Sequence, residues 1–491
     1  MNDALGGKGG AGQPGSGGAG GAGGAGETPA DAQTTVPEAR VDTPMDMPDA
    51  AVFPYSCNDL GPEPTIAPAC ATITATKTIT AGKPTDETTL DTALIQSAIS
   101  ACPAGQSVQL AADGDKVAFL SGPLAMKAGV TLWIDTGVTL FATRNPRDFD
   151  FPPGTRGCGT DNSNSACSAL INVISVADVT IAGGGTIDGR GGEPVMGDAG
   201  ASTWWDIENQ LGGQMAGPRL VQVTQSTNFT LYQVTLRNSP KFHVVIDRTK
   251  GYRVWGITVN TNPSSPNTDA VDPSGSTSGI IAYNKLQTGD DNIAIKGGNA
   301  LVDHLVIAHN HFGRGHGMSI GSETNAGVRN VEVCDLTLDG TQNGLRIKSD
   351  NSRGGLVQNI SYTDVCMRNV SNPLVFDPYY DRTAAGPTIP DYRNIVVRNT
   401  HVLGGGMLTV RGYDPMHPLS LTLDNVVFDS TPRFRNPSPL NANLTFGPGP
   451  VNIAPIFDAS VADAGTMLTV KQLDSNAAEP RACGDDVWVT F

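Results

Sequence analysis

The sequence predicts an all-β solenoid, a β-helix of short stacked coils, and three observations predict it. Aligned on Asp269-Ala270-Val271, Asp291-Asn292-Ile293, His316-Gly317-Met318, Asn343-Gly344-Leu345 and Asn372-Pro373-Leu374, the chain repeats at steps of 22, 25, 27 and 29 residues. That is the period of a solenoid giving one strand per coil. In each repeat a polar residue leads and an aliphatic one follows two places later. Elsewhere, short β-rich runs such as Val130-Thr131-Leu132-Trp133-Ile134 and Phe229-Thr230-Leu231 are punctuated by Asn, Gly, Asp and Ser, as turns require.

Taken in chain order, residues 1–51 differ in kind from the rest. Gly6 to Gly26 is almost wholly Gly, Ala and Ser, and Thr28 to Ala50 is rich in Pro, Asp and Thr. Such a stretch buries too little apolar surface to fold and reads as a flexible tether. Residues 52–491 read as one catalytic domain, with an N-terminal cap over 52–106. Within that cap Leu90, Leu94 and Ala98, with Ile95 and Ile99, have helical spacing between Thr85 and Cys102, and Thr85 or Asp86 can cap the start. A short helix there plugs the open end of the solenoid. Strands begin at Ser107, and later coils show at Ile280-Ile281, Leu305-Val306-Ile307, Val331-Glu332-Val333, Ile360-Ser361-Tyr362 and Ile395-Val396-Val397. After Pro432 the period weakens, and 432–491 reads as a C-terminal cap tied down by Cys483.

Stacking turns this spacing into a site. Parallel strands lie about 4.8 Å apart, so residues one coil apart are neighbours on a sheet face. Asp269, Asp290 and Asp291, and His316 then occupy three consecutive coils, and Arg346 and Lys348 the fourth. Because side chains alternate along a strand, Arg346 and Lys348 share one face and Leu345 and Ile347 the other. The inward columns are Ile293, Met318, Leu345, Leu374 and Ile295, Ile320, Ile347, Phe376. Lys296 falls in the column of Lys348, two coils earlier.

Glycosidic bonds break through oxocarbenium-like transition states served by two carboxyl functions. Crowded carboxylates drive their pKa values apart, which makes a general acid of an ordinary Asp, and His316 is placed to tune that proton. Asp290 and Asp291 are sequence neighbours, so both face the cleft only if the chain turns there, as Gly289 allows.

Composition sets limits. The net charge of −16, from 48 acidic and 32 basic residues, argues against a nucleic-acid partner. Lys296, Arg314, Arg346 and Lys348 still allow a basic groove, since affinity at a cleft is local. Eight cysteines without a Cys-x-x-Cys pair or zinc-ligand spacing indicate disulfides and an oxidising compartment, with Cys158–Cys167 as a local bridge. No apolar run reaches the roughly 20 residues of a membrane span, and the first residues carry no apolar signal core.

Asn267-Thr268-Asp269, Gly289-Asp290-Asp291, Gly315-His316-Gly317 and Arg346-Ile347-Lys348 resemble the four signature segments of the polygalacturonases, glycoside hydrolase family 28. Gly184-Gly185-Thr186-Ile187-Asp188-Gly189, Asn238-Ser239-Pro240 with Phe242-His243, and Gly317 through Glu323 are similar to the bacterial endopolygalacturonases, over a span from Cys70 to Asn425. The resemblance implies a right-handed parallel β-helix that hydrolyses the α-1,4 bonds of homogalacturonan with inversion, without metal or other cofactor. It implies Asp290 as general acid, Asp269 and Asp291 activating water, and His316 assisting the protonation of Asp290. Arg346 and Lys348 would hold substrate carboxylates at the leaving-group side. Tyr380, with Tyr379 as the alternative, Asn267 and Lys296 would add substrate contacts. Ala270 departs from the glycine that usually follows Asn-Thr-Asp. The expectation is a secreted, monomeric endo-enzyme whose partner is pectin. Its rivals are an exo-enzyme or rhamnogalacturonan hydrolase, a calcium-dependent pectate lyase, and a glycan-binding β-helix without activity.

Overall fold

In the computed structural model, which describes residues 53–491 apart from 161–165, 198–200, 214, 436–438, 454–467 and 475, each coil adds strands to two parallel sheets. The sequence therefore folds as a parallel β-helix, in the right-handed sense that parallel crossovers take. The expected tether, 1–51, lies outside the described residues. One sheet carries 11 strands among the described residues and runs in chain order from Leu124–Ala125 to Arg433–Phe434; the other carries 20.

The two inward columns form as expected. Ile293, Met318, Leu345 and Leu374 pair rung by rung, as do Ile295, Ile320, Ile347 and Phe376, and all eight are fully buried. The first column continues upstream through Val271, Val244, Val221 and Ile171. On the larger sheet, early coils bend between two short strands, as at Tyr283 between Thr277–Ala282 and Lys285–Gln287. There the buried Asn284 amide bonds the Val254 carbonyl at 3.1 Å and Asn310 Oδ1 at 2.9 Å. A polar ladder thus satisfies the bend from inside the core.

Two helices depart from the sequence reading. The first, α1, spans Thr92–Ala101 and not the whole stretch from Thr85. The Asp86 carboxylate instead closes a turn on Thr88 and Thr89. Ile95 and Ile99 are buried in α1, whereas Leu94 is 54% exposed and does not belong to the inner face. The plug role holds in detail: the Gln96 amide pairs with both backbone groups of Ala125, at 2.9 and 2.8 Å, and so closes the edge of the smaller sheet. The second helix, α2 (Trp204–Gln210), was not foreseen; Thr203 and Asp206 form its capping box.

All eight cysteines are paired, as Cys57–Cys334, Cys70–Cys102, Cys158–Cys167 and Cys366–Cys483. Stacking also runs past Pro432, since Ala442–Phe446 and Leu468–Gln472 extend the larger sheet. Beyond them the chain turns back across the coils as a strap. Asn425 bonds the Glu479 carbonyl at 2.8 Å, Arg481 meets Asp335 at 2.5 Å, the Arg368 guanidinium stands 4.3 Å from the Trp488 ring, and Phe491 reaches Gly313.

Candidate active site

Three turns entering the smaller sheet carry the aspartates and the histidine, and each turn is bonded to the next. Thr268 Oγ1 accepts the Gly289 N–H at 3.0 Å, and the Ala270 N–H donates to the Asp291 carbonyl at 3.0 Å. From the preceding coil, His243 Nδ1 lies 3.1 Å from the carbonyl oxygens of Thr268 and Asp269. Burial drives its pKa down to about 4, so it holds this turn as a neutral ring. Gly289 allows the backbones to meet, because a Cβ there would lie 1.9 Å from the Ser265 carbonyl. The strand starts only at Ile293, so Asp290 and Asp291 both sit in the turn before it and are not bound to the alternation of a strand. Asn292 Oδ1 accepts the Gly317 N–H at 2.9 Å, and the His316 N–H donates to the Asp290 carbonyl at 2.8 Å.

The side chains divide the protons unequally. Asp291 is nearly buried; Oδ2 accepts from Lys348 Nζ at 2.8 Å, Oδ1 accepts from Ser319 Oγ at 2.7 Å, and Arg346 stands 3.6 Å away. Burial acts to raise its pKa, but the charges of Lys348 and Arg346 outweigh it and hold the carboxyl well below the usual range. Asp290 Oδ1 lies 2.9 Å from His316 Nδ1 and accepts the Asp291 N–H at 2.8 Å. Against burial, that pairing lowers the pKa of Asp290 and raises that of His316, so the pair shares one proton that rests on the imidazole. Asp269 is different. Burial and the nearby Asp272 raise its pKa well above the ordinary value, against the pull of Lys296. Asp272, also buried, is raised to about 6 although Lys296 Nζ is 2.7 Å away.

Of the further contacts, Tyr380 lies over the base pair, its ring centre 5.4 Å from the Arg346 guanidinium and 5.2 Å from Lys348 Nζ. Tyr379 points elsewhere, stacking on Tyr413 at 5.3 Å and bonding its carbonyl. Asn267 spends its amide on Glu208 and on the Gly213 carbonyl, which anchors α2 and leaves no amide donor for a ligand. Lys296 is 3.3 Å from Asp269. Arg314 is exposed on the loop before His316. Arg346 Nε is buried and, among the described residues, has no hydrogen-bond partner. Ala270 is fully buried in the core, so its methyl packs inward.

Sequence reasoning missed Asp272, Ser319, Arg219 and Lys241. Asp272 and Ser319 had a signal in the outward phase of Val271–Ser274 and Met318–Ile320. Arg219 and Lys241 stand before their strands, where alternation says nothing. Ligand atoms of Asp290, Asp291 and His316 come within 4.8 Å of one another, close enough for a cation, but Lys348 and His316 already compensate both carboxylates.

Comparison with known proteins follows the same lines. The profile of glycosyl hydrolases family 28 matches residues 102–403. The chain is 45% identical over 442 residues to a polygalacturonase of Ralstonia solanacearum, covering 79% of this chain and 83% of that one. It is 42% identical over 353 residues to an endo-polygalacturonase of Pectobacterium parmentieri, covering 70% of this chain and 86% of the other. The solved polygalacturonase of Erwinia carotovora ssp. carotovora superposes with a TM-score of 0.72 at 38% identity, over 79% of this chain and all of that one.

Proposed function

This chain belongs to glycosyl hydrolases family 28 and is a glycoside hydrolase acting on polygalacturonate, and from that premise we propose an endo-acting, inverting mechanism centred on Asp290 and Asp291. One observation carries the proposal: a cation-locked, ionised Asp291 stands beside an Asp290 that shares a proton with His316. Asp290, receiving that proton, delivers it to the glycosidic oxygen as the anomeric C–O bond breaks. Asp291, with Asp269, holds a water on the opposite face; its oxygen bonds the anomeric carbon and its proton passes to Asp291. Asp290 and Asp291 offer oxygens within 4.8 Å of each other, nearer than the roughly 6.5–9.5 Å usual for an inverting pair, so inversion is proposed from the family and not from this spacing. Arg346 takes a substrate carboxylate at the leaving-group side beneath Tyr380, and Lys348 chiefly keeps Asp291 ionised. Lys296 balances Asp269 and Asp272.

The catalytic unit is 52–491, with 1–51 as its tether. The whole constellation comes from one chain, so a monomer is sufficient for activity. It acts outside the cell, where four disulfides persist; among the described residues no helix is long and apolar enough to cross a membrane.

A time course on de-esterified polygalacturonate, with and without a chelator, tests the reading. Saturated oligomers of mixed size, appearing early and unaffected by the chelator, are expected. Monomer alone would make the enzyme exo-acting, and unsaturated ends would make it a lyase. Asp290→Asn is expected to lose roughly 10²–10⁴-fold in kcat, the usual worth of general acid–base catalysis; near-normal turnover would remove Asp290 from its role.

A further inference from the structure

Two sequence motifs stand outside the acid–base apparatus, Gly184 to Gly189 and Asn238-Ser239-Pro240 with Phe242-His243, yet their polar side chains belong to one chain of hydrogen bonds that ends on the Asp269 turn. The Asp188 carboxylate accepts the Asn238 side-chain amide at 3.1 Å. The Asn238 backbone N–H donates to Thr261 Oγ1 at 2.8 Å, and the same hydroxyl stands 2.8 Å from His243 Nε2. On the other side of the ring, His243 Nδ1 lies 3.1 Å from both the Thr268 and the Asp269 carbonyl oxygens. The bonds run from coil to coil, because Leu236 pairs with Val259 and Val244 with Val271.

This chain fixes the tautomer and the orientation of the ring. His243 is fully buried and Thr261 nearly so. Carbonyl oxygens only accept, so Nδ1 carries the proton of the neutral ring and Nε2 accepts from the Thr261 hydroxyl. Neither carbonyl needs the imidazole to escape being orphaned. The Thr268 carbonyl already accepts from the Thr288 hydroxyl, and the Asp269 carbonyl accepts the His243 backbone N–H at 2.8 Å. A buried imidazole that relieves no unsatisfied acceptor, and needs a hydroxyl partner of its own, is a poor choice for packing alone. What it supplies is direction: one donor is shared between the two peptide groups that flank the Asp269 side chain, and Thr288 passes the hold on to the turn of Gly289 and Asp290.

We propose that His243, oriented by Thr261 and Asn238, is a positioning residue that holds the Asp269 carboxyl in place for the attacking water. This rests on the role given to Asp269 in the polygalacturonate reading. His243 lies beneath the turn and acts only through the backbone of Asp269, so its loss displaces a catalytic group without removing a substrate contact. Arg346 stands three strands further along the smaller sheet, and its grip on the substrate is left intact. The effect therefore falls on kcat and not on KM.

The test is a double-mutant cycle on de-esterified polygalacturonate, with kcat and KM measured for the wild type, His243→Phe, Asp269→Asn and the double variant. His243→Phe keeps a ring in the core and removes both polar atoms; its kcat is expected to fall roughly 10²-fold, the effect of a small misplacement of a catalytic group, with KM little changed. In the Asp269→Asn background the same substitution is expected to cost almost nothing further, because the group that it misplaces is already disabled. His243→Asn, whose amide can donate from the position of Nδ1, restores most of the lost kcat. No loss in His243→Phe, a loss carried by KM, or a full further loss in the double variant overturns the positioning role. If His243→Phe does not fold, Thr261→Val carries the test: kcat is expected to fall about 10-fold, the worth of one buried hydrogen bond, again only where Asp269 is intact, and an unchanged kcat overturns the proposal. Normal turnover by Asp269→Asn itself would overturn the role of Asp269 in the functional reading instead.

Discussion

His316 and Asp290 share one proton across 2.9 Å, and this fixes how activity and stability respond to pH. The His316 pKa is raised, so the stability of the pair is fully present below the ordinary histidine value and is lost as pH rises through the raised one. The Asp290 pKa is lowered, so that stability is present above the ordinary aspartate value and lost as pH falls through the lowered one. The same proton feeds catalysis, and the alkaline limb of kcat/KM then reports the pair as a unit. His316→Gln leaves Asp290 alone to hold the proton, and the alkaline limb is expected to move to lower pH; a limb that stays in place would separate His316 from the acid. Lys348 makes a complementary case. Because it bonds Asp291 at 2.8 Å, Lys348→Met is expected to raise the pKa of Asp291 and to move the acid limb of kcat upward. A change confined to KM would return Lys348 to simple substrate binding. Its type and column were legible in the sequence, but its partner was not, because contacts across two coils depend on which rotamer fills the cleft.

At the scale of the element, a strand carries the site because its other face is core. Arg346 and Lys348 point outward only while Leu345 and Ile347, both fully buried, point in. Leu345→Ala removes one rung of a continuous column and is expected to cost about 2–5 kcal/mol, read from denaturant unfolding. It also loosens the strand beneath Arg346, so activity is expected to fall more than in a truncation such as Leu132→Ala, far from the cleft. Equal activity losses would show that the rung supports the fold without orienting the site. These columns were legible in advance because a period of two, repeated coil by coil, determines inside and outside. The helices were less so. In α1 the residues before Thr92 look helical by spacing, but Asp86 turns back on Thr88 and Thr89, and local side-chain bonds of this kind compete with a helix start. With only seven residues, α2 is too short to show periodicity, and its one signal was the Thr203…Asp206 box.

Across the whole molecule, a solenoid is held mostly by contacts between neighbouring coils, so bonds that span many coils are a separate source of order. The strap is one of these. It runs against the direction of stacking, from Asn425 through Asp335 and Arg368 to Gly313, and Cys366–Cys483 closes it across a sequence separation of 117 residues. A Cβ on Gly313 would lie 2.8 Å from the Phe491 ring, so the end of the strap packs against the loop that leads to His316. Opening the disulfide in a Cys366→Ser/Cys483→Ser variant is expected to cost about 2–4 kcal/mol, and the loss should be uneven along the axis. Hydrogen exchange is expected to rise in residues 479–491 and in the loop 313–316, and to stay at the wild-type level in the coils around Val130–Ile134, which the strap never touches. Exchange that rose equally everywhere would mean that the coils unfold as one unit and that the strap has no local hold on the histidine loop.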